Sequence, residues 1–430
     1  MRSTTVGLAL LAAIGTGCAT GSTPSSPIPT GAVGEPARAA SPASGPQREA
    51  RARELQTLGR AAMARGDMAT ATTSFREALR LQPDLTEARE SLGLALYEMG
   101  DLDGTVDELR ALLRQRPDAV RARYVLATAL MAKQDWSAAR AELEDVLRRQ
   151  PDLAQALYSL GLVRYALGDL NGAIEAYRQV LSRSPDQADA RYNLALVLKL
   201  THRDAEATPE FVAAARAGHA RAQFFAGTAY ARGLGVEQDT ARAIAWWTRA
   251  ADQGSPEAGA ALGELRQTAL GKTRRAPAER RAVEQGFRDY RTGLWSDYPE
   301  LTRAGDDDTV GGALLRQGRG AEAVPVLISE ALAFGEPAQA ILEELYYHGS
   351  PGQIAPYDPR ILGYFKTAAD EGQVRARITL AKLYAAGLGV PKDTARAINL
   401  LKSTPHEDAQ RLLQEISIAP EAVPPSPVRP

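Results

Sequence analysis

"RELQTLGRAAMARGDMATATTSFREALRLQPD", residues 53–84, ends in a Pro-Asp pair that returns at a constant interval. Pro83, Pro117, Pro151 and Pro185 lie 34 residues apart, each followed by Asp (Asp84, Asp118, Asp152, Asp186). Proline cannot continue a helix interior and disfavours αR in the residue before it, so each pair ends one helix and lets the next begin. Between the pairs, Gly66-Asp67, Gly100-Asp101 and Gly168-Asp169 supply turn and helix-cap chemistry. Each period therefore reads as two helices joined by a turn. Such a pair exposes an apolar face that it cannot cover alone, and stacking on its neighbours buries it.

The residues inside the period carry a resemblance. Leu58 with Gly59, then Ala71, Phe75, Ala78 and Pro83 stand at the offsets of the tetratricopeptide repeat, with Leu55 in place of the leading Trp. The frame returns through Leu92 with Gly93, Leu126 with Ala127, Leu160 with Gly161, and Leu194 with Ala195. It resembles a tetratricopeptide array of five units over about residues 52–217, the last without its Pro. From His219 the frame lengthens. "AQFFAGTAYARGLGVEQDTARAIAWWTRAADQG", residues 222–254, resembles a Sel1-like repeat, and a near copy with a second "DTARAI" returns 154 residues later. Between them Ala338, Tyr346, Gly349, Phe365, Ala368, Ala369 and Gly372 make a third unit, with Leu315, Gly318, Ala323 and Leu327 marking a weak fourth. The resemblance implies an all-α fold, an α-solenoid or superhelix of stacked helix-turn-helix repeats.

Composition agrees. Arg outnumbers Lys 44 to 7, Ala is frequent and aromatics are few, which suits packed short helices better than sheets. The formal net charge of -1, with both signs intermixed, gives no footprint for nucleic acid. A single cysteine allows no internal disulfide and no thiolate metal cluster.

That cysteine, Cys18, follows an apolar run from Val6 to Ile14 that is about half the ~20 residues of a membrane span and reads as a signal-peptide h-region. Residues 10–26, "LLAAIGTGCATGSTPSS", resemble a bacterial lipoprotein signal, with Thr16 and Gly17 fitting its pattern and Gly15 standing where Leu is usual. The resemblance implies that Cys18 becomes a lipidated N-terminus, with Ala19 favouring the outer membrane. A soluble periplasmic product cleaved after Ala19 is the alternative. The expected organisation is signal and anchor over 1–18, a disordered Pro/Ser/Gly tether over 19–48 and tetratricopeptide repeats over 49–218. A Sel1-like repeat follows over 219–263, then a degenerate helical segment over 264–309, Sel1-like repeats over 310–417 and a Pro-rich tail over 418–430.

Little in the chain suggests catalysis. His202, His219, His348 and His406 are scattered, with no metal-ligand spacing, so no cofactor or metal is expected. Gly271-Lys272-Thr273 lacks the first Gly of a phosphate loop, since Arg266 stands there. The Gly-Leu-Gly of 233–235 and 387–389 belongs to the Sel1 turn, and Asp306 to Asp308 lack EF-hand spacing. An enzyme reading would need Trp295, Tyr298, Glu300 and Asp306 to form a site joined by His348.

What remains is surface. Carried over by register from the tetratricopeptide family, the groove-lining positions of the first helices give two ladders. One is Gln56, Glu90, Tyr124, Tyr158 and Tyr192, and the other is Met63, Tyr97, Met131, Tyr165 and Lys199. Tyr and Met suit an adaptable peptide groove, and they equally suit packing between adjacent helices. The Lys/Asn carboxylate clamp of some family members is absent at these positions. The resemblance implies a non-enzymatic scaffold at the periplasmic face of the outer membrane, lipid-anchored, with envelope proteins as partners through peptide segments or a porin or secretin. Machines for exopolysaccharide export, pilus or secretin assembly and gliding motility are where such lipoproteins recur.

Overall fold

A computed structural model describes residues 45–305 and 308–418. The signal segment, Cys18, most of the tether, Asp306, Asp307 and the Pro-rich tail after Ile418 lie outside the described residues. The chain is all-α, an α-solenoid of stacked helix pairs. It divides into two compact units, Met1–Arg203 and Asp204–Pro430.

The first unit holds α1 (Gly45–Ala64), α2 (Met68–Leu81), α3 (Thr86–Glu98), α4 (Leu102–Gln115), α5 (Val120–Ala132), α6 (Trp136–Arg149), α7 (Ala154–Ala166), α8 (Leu170–Arg183) and α9 (Ala188–Leu200). Odd helices open each repeat and even ones close it. Every closing helix starts on an aspartate 34 residues from the last. Asp67, Asp101, Asp135 and Asp169 accept from the N–H of Thr70, Gly104, Ala138 and Gly172 at 3.0, 2.9, 3.1 and 2.9 Å. Each bond satisfies an orphan donor of a helix first turn and contributes about 1 kcal/mol.

The two helices of a repeat meet across a small residue. A Cβ placed on Gly161 would stand 2.6 Å from the Tyr177 ring, and one on Gly93 would stand 2.6 Å from Leu109. Tyr177 and Leu109 are fully buried, as is Phe75 in the first repeat. Removing such a side chain from water stabilises the fold by roughly 1.5–3 kcal/mol.

A second period of contacts closes each inter-repeat turn. Arg89, Arg123 and Arg191, each six residues after the repeat proline, donate to the carbonyls of Pro83, Pro117 and Pro185 at 2.8, 3.0 and 2.9 Å. In the fourth repeat Leu157 takes that position and is buried instead.

The second unit runs α10 (Asp204–Arg216), α11 (Ala220–Arg232), α12 (Thr240–Asp252), α13 (Pro256–Ala269), α14 (Pro277–Leu294), a 3-10 turn (Trp295–Asp297), α15 (Val310–Arg316), α16 (Gly320–Leu332), α17 (Glu336–His348), α18 (Pro359–Glu371), α19 (Val374–Ala386), α20 (Thr394–Lys402) and α21 (Glu407–Ile418). Its two clear Sel1-like repeats reproduce each other closely. Asp239 and Asp393 cap α12 and α20 through the N–H of Arg242 and Arg396, both at 2.9 Å. Those arginines lie over the Tyr230 and Tyr384 rings at 5.4 and 4.6 Å.

The segment over 264–309, read from sequence as degenerate, contains an ordered amphipathic helix. Val283, Phe287 and Tyr290 of α14 enter the core made by Ile244 and Trp247 of α12 and Leu262 of α13. Helix α13 also runs through the expected boundary at 263/264. Arg266 at its end makes a bidentate pair with Glu371 of α18, 2.6 Å on each arm and nearly buried.

Candidate functional site: the first-helix ladders

Helices α1, α3, α5, α7 and α9 carry the two ladders, because a 34-residue period places each position on the same face of successive helices. The structure sorts them by exposure. Gln56, Met131 and Tyr192 are buried, at 6, 5 and 4 % exposure, and so pack within the array. Met63, Glu90, Tyr97, Tyr124, Tyr158, Tyr165 and Lys199 are half-buried.

The ladder residues are cross-braced. Gln56 Nε2 donates to Glu87 Oε2 at 3.0 Å, which ties α1 to α3. Tyr124 Oη and Ser159 Oγ lie 3.4 Å apart, linking α5 to α7. Asn193 Nδ2 of α9 donates to Tyr158 Oη at 2.8 Å. Ser159 and Asn193 were not singled out from the sequence. Each directly follows a ladder tyrosine (Tyr158, Tyr192), and that recurrence is the signal that could have found them. The half-buried aromatic surface is therefore braced from helix to helix.

Burial sets the electrostatics. It pushes the Tyr158 phenol up to about 12, against the pull of Asn193, and raises Tyr165 as well. Tyr177 is raised as well, first through burial and then through Tyr158 and Tyr165. These phenols stay neutral and keep their hydrogen-bonding capacity at physiological pH. Charge enters along the neighbouring positions through Arg53, Glu87, Arg121 and Asp189. The surface can supply aromatic contact area, neutral hydrogen bonds and a polar margin.

The residues considered for an enzyme are arranged otherwise. Trp295 and Tyr298 lie beneath Arg303 and Arg319, at 5.6 and 6.0 Å, and Glu300 is paired with Arg319 at 2.7 Å. His348 stands at 3.8 Å from Glu344. Asp306 is outside the described residues. Among the described residues no group of three or more His, Cys, Asp or Glu could hold a metal ion.

The family model of the tetratricopeptide repeat matches residues 57–120, 92–154, 124–188 and 158–218, and that of the Sel1 repeat matches 220–255 and 375–403. The chain is a tetratricopeptide and Sel1-like repeat protein. As such it is a protein-interaction scaffold. The third and fourth Sel1-like units have no family match, although α15 to α18 are packed helices. No curated protein matches the chain.

Similar solved structures include a crystal structure of MamA at 23% identity, covering 40% of this chain and 95% of that one with a TM-score of 0.38. MamA 41-end from Desulfovibrio magneticus RS-1 has 23% identity, 38% and 93% coverage and a TM-score of 0.37. YrrB, described as a TPR protein with an unusual peptide-binding site, has 18% identity, 39% and 86% coverage and a TM-score of 0.37. At these identities the likeness concerns fold alone.

Proposed function

We propose that this protein is an envelope lipoprotein whose tetratricopeptide repeats hold peptide segments of other envelope proteins while a larger machine is assembled, in exopolysaccharide export, pilus or secretin assembly or gliding motility. The observation that carries the docking reading is the run of half-buried Tyr97, Tyr124, Tyr158 and Tyr165 on successive first helices, braced from helix to helix. Tyrosine brings large contact area at low conformational cost and a polar tip, which is the residue chemistry of interaction hot spots. Fold alone never names the machine. The envelope and anchor parts rest on the sequence around Cys18.

Two experiments test the two parts separately. Mass spectrometry of the mature N-terminus should find an acylated Cys18, whereas an unmodified N-terminus at Thr20 would mean a soluble periplasmic adaptor. Crosslinking and pull-down from envelope fractions should recover partners with the native chain and lose them when Tyr97 and Tyr124 are both changed to Ala. Tyr192→Phe, a change at a buried position, should keep them. Equal recovery by all three chains would remove the groove from the account.

A further inference from the structure

One short surface stretch of the second unit is strongly basic. The stretch 271–282, "GKTRRAPAERRA", holds Lys272, Arg274, Arg275, Arg280 and Arg281 against the single anion Glu279, in a chain whose formal net charge is -1. It comprises the loop after α13 and the first turns of α14, and all five cations are exposed. Arg275 is paired with Glu264, and Arg280 with Glu284 at 2.8 Å. Arg274 and Arg281 make no ion pair among the described residues, and Lys272 Nζ donates to the backbone carbonyl of Glu371. The carboxylate of Glu371 is already held on both oxygens by Arg266. Arg377, next to Lys272, donates to the carbonyls of Ala369 and Ser403 at 2.8 and 2.9 Å, which leaves its charge uncompensated.

The Lys272 ammonium is held below its ordinary range first by the partial desolvation of its contact with the Glu371 carbonyl and then by Arg377, against the pull of the Glu371 carboxylate. Arg274, Arg281 and Arg377, with Lys272 balanced only in part by Glu371, thus make this surface strongly basic.

We infer that this loop and the start of α14 form a docking surface for an anionic phospholipid bilayer. The composition of the surface selects that partner over an acidic protein. A protein interface needs a buried core of aromatic or large aliphatic anchors, and the uncharged residues here are Gly271, Thr273, Ala276, Pro277, Ala278 and Ala282. A face that offers charge and no anchor fits a partner that is itself an extended sheet of charge. Guanidinium forks match phosphate oxygens, and each basic residue near an anionic membrane adds about 1 kcal/mol to binding. The inference rests on the proposed anchor at Cys18 only in that the anchor keeps a bilayer within reach.

The test uses the full chain carrying Cys18→Ser, so that no acyl chain contributes, and co-sedimentation with two kinds of vesicle. One is equimolar phosphatidylglycerol and phosphatidylcholine, and the other is phosphatidylcholine alone. Binding to the anionic vesicles and not to the neutral ones, weakened by added salt, is expected. The pair Arg274→Ser and Arg281→Ser should weaken it by about tenfold or more. The pair Arg110→Ser and Arg114→Ser, exposed arginines of α4, should leave it unchanged. Circular dichroism checks that both variants fold. No binding to anionic vesicles, equal binding to neutral ones, or equal loss in the two variant pairs would each overturn the inference. Binding of an acidic polypeptide such as polyglutamate, without vesicle binding, would also overturn it in favour of a protein partner. None of these outcomes touches the anchor, which the mass of the native N-terminus decides by itself.

Discussion

Gly66, Gly100, Gln134, Gly168 and His202 lie 34 residues apart at the turn between helices, and all five take positive φ, from 57° to 81°. Three are glycine, which enters that region at no steric cost, whereas Gln134 and His202 bear a Cβ that crowds the backbone there. Gln134→Gly should therefore raise stability by about 1 kcal/mol, read as a higher urea midpoint at unchanged slope.

Glu330 gives a second prediction at this scale. It is 3 % exposed and accepts from the N–H groups of Val310 and Gly311 at 2.9 and 3.2 Å, capping α15 from α16. Burial outweighs those bonds and pushes its carboxyl from glutamate's ordinary 4.5 up to about 7. The folded chain then holds this proton more tightly than the unfolded chain does. The stabilisation is complete below about 4.5 and is lost as pH rises through about 7. Glu330→Gln should flatten that stretch of the stability profile by roughly 2–3 kcal/mol. An unaltered profile would show that this group does not set it.

At the scale of elements, the helix pair is the unit that stabilises and the unit that was legible. The Pro-Asp interval, the turn dipeptides and the Gly/Ala positions all act within about one turn of a helix or across one pair, so their spacing survives in the sequence. The repeat of Leu58 shows what does not survive. Its counterparts Leu92 and Leu126 are fully buried, while Leu58 is 47 % exposed, because position in the stack decides which copy is covered. Leu92→Ala should cost about 2–5 kcal/mol and Leu58→Ser within about 0.5 kcal/mol, measured by urea unfolding. The ladders show the same limit. Register placed Tyr124, Tyr158 and Tyr192 on one face, but only packing told half-buried Tyr124 and Tyr158 from buried Tyr192. The order in α14 was also illegible, since it depends on Phe287 and Tyr290 meeting α12 and not on any repeat.

Clasps between distant elements belong to the same scale. Arg266 and Glu371 are 105 residues apart in sequence, and nothing local announces their pair. Because both side chains are nearly buried, removing one partner strands the other. Glu371→Ala should destabilise the second unit by about 3–5 kcal/mol in thermal or urea unfolding, and a loss below about 1 kcal/mol would mean that water reaches the pair.

At the scale of the whole molecule, the chain has an array of tetratricopeptide repeats bearing a tyrosine surface, a Sel1-like unit bearing a basic surface, and a cysteine near its start that resembles a lipid anchor. In the proposed function these parts would serve a scaffold held at a membrane, and each part has its own test. The central claim is that the first-helix ladder grips a partner. A photoreactive residue placed at Tyr124 in living cells, with Arg110 of α4 as the comparison site, tests it most directly. The account predicts a defined crosslinked partner from Tyr124 and none from Arg110. Adducts at Arg110 with none at Tyr124 would contradict it.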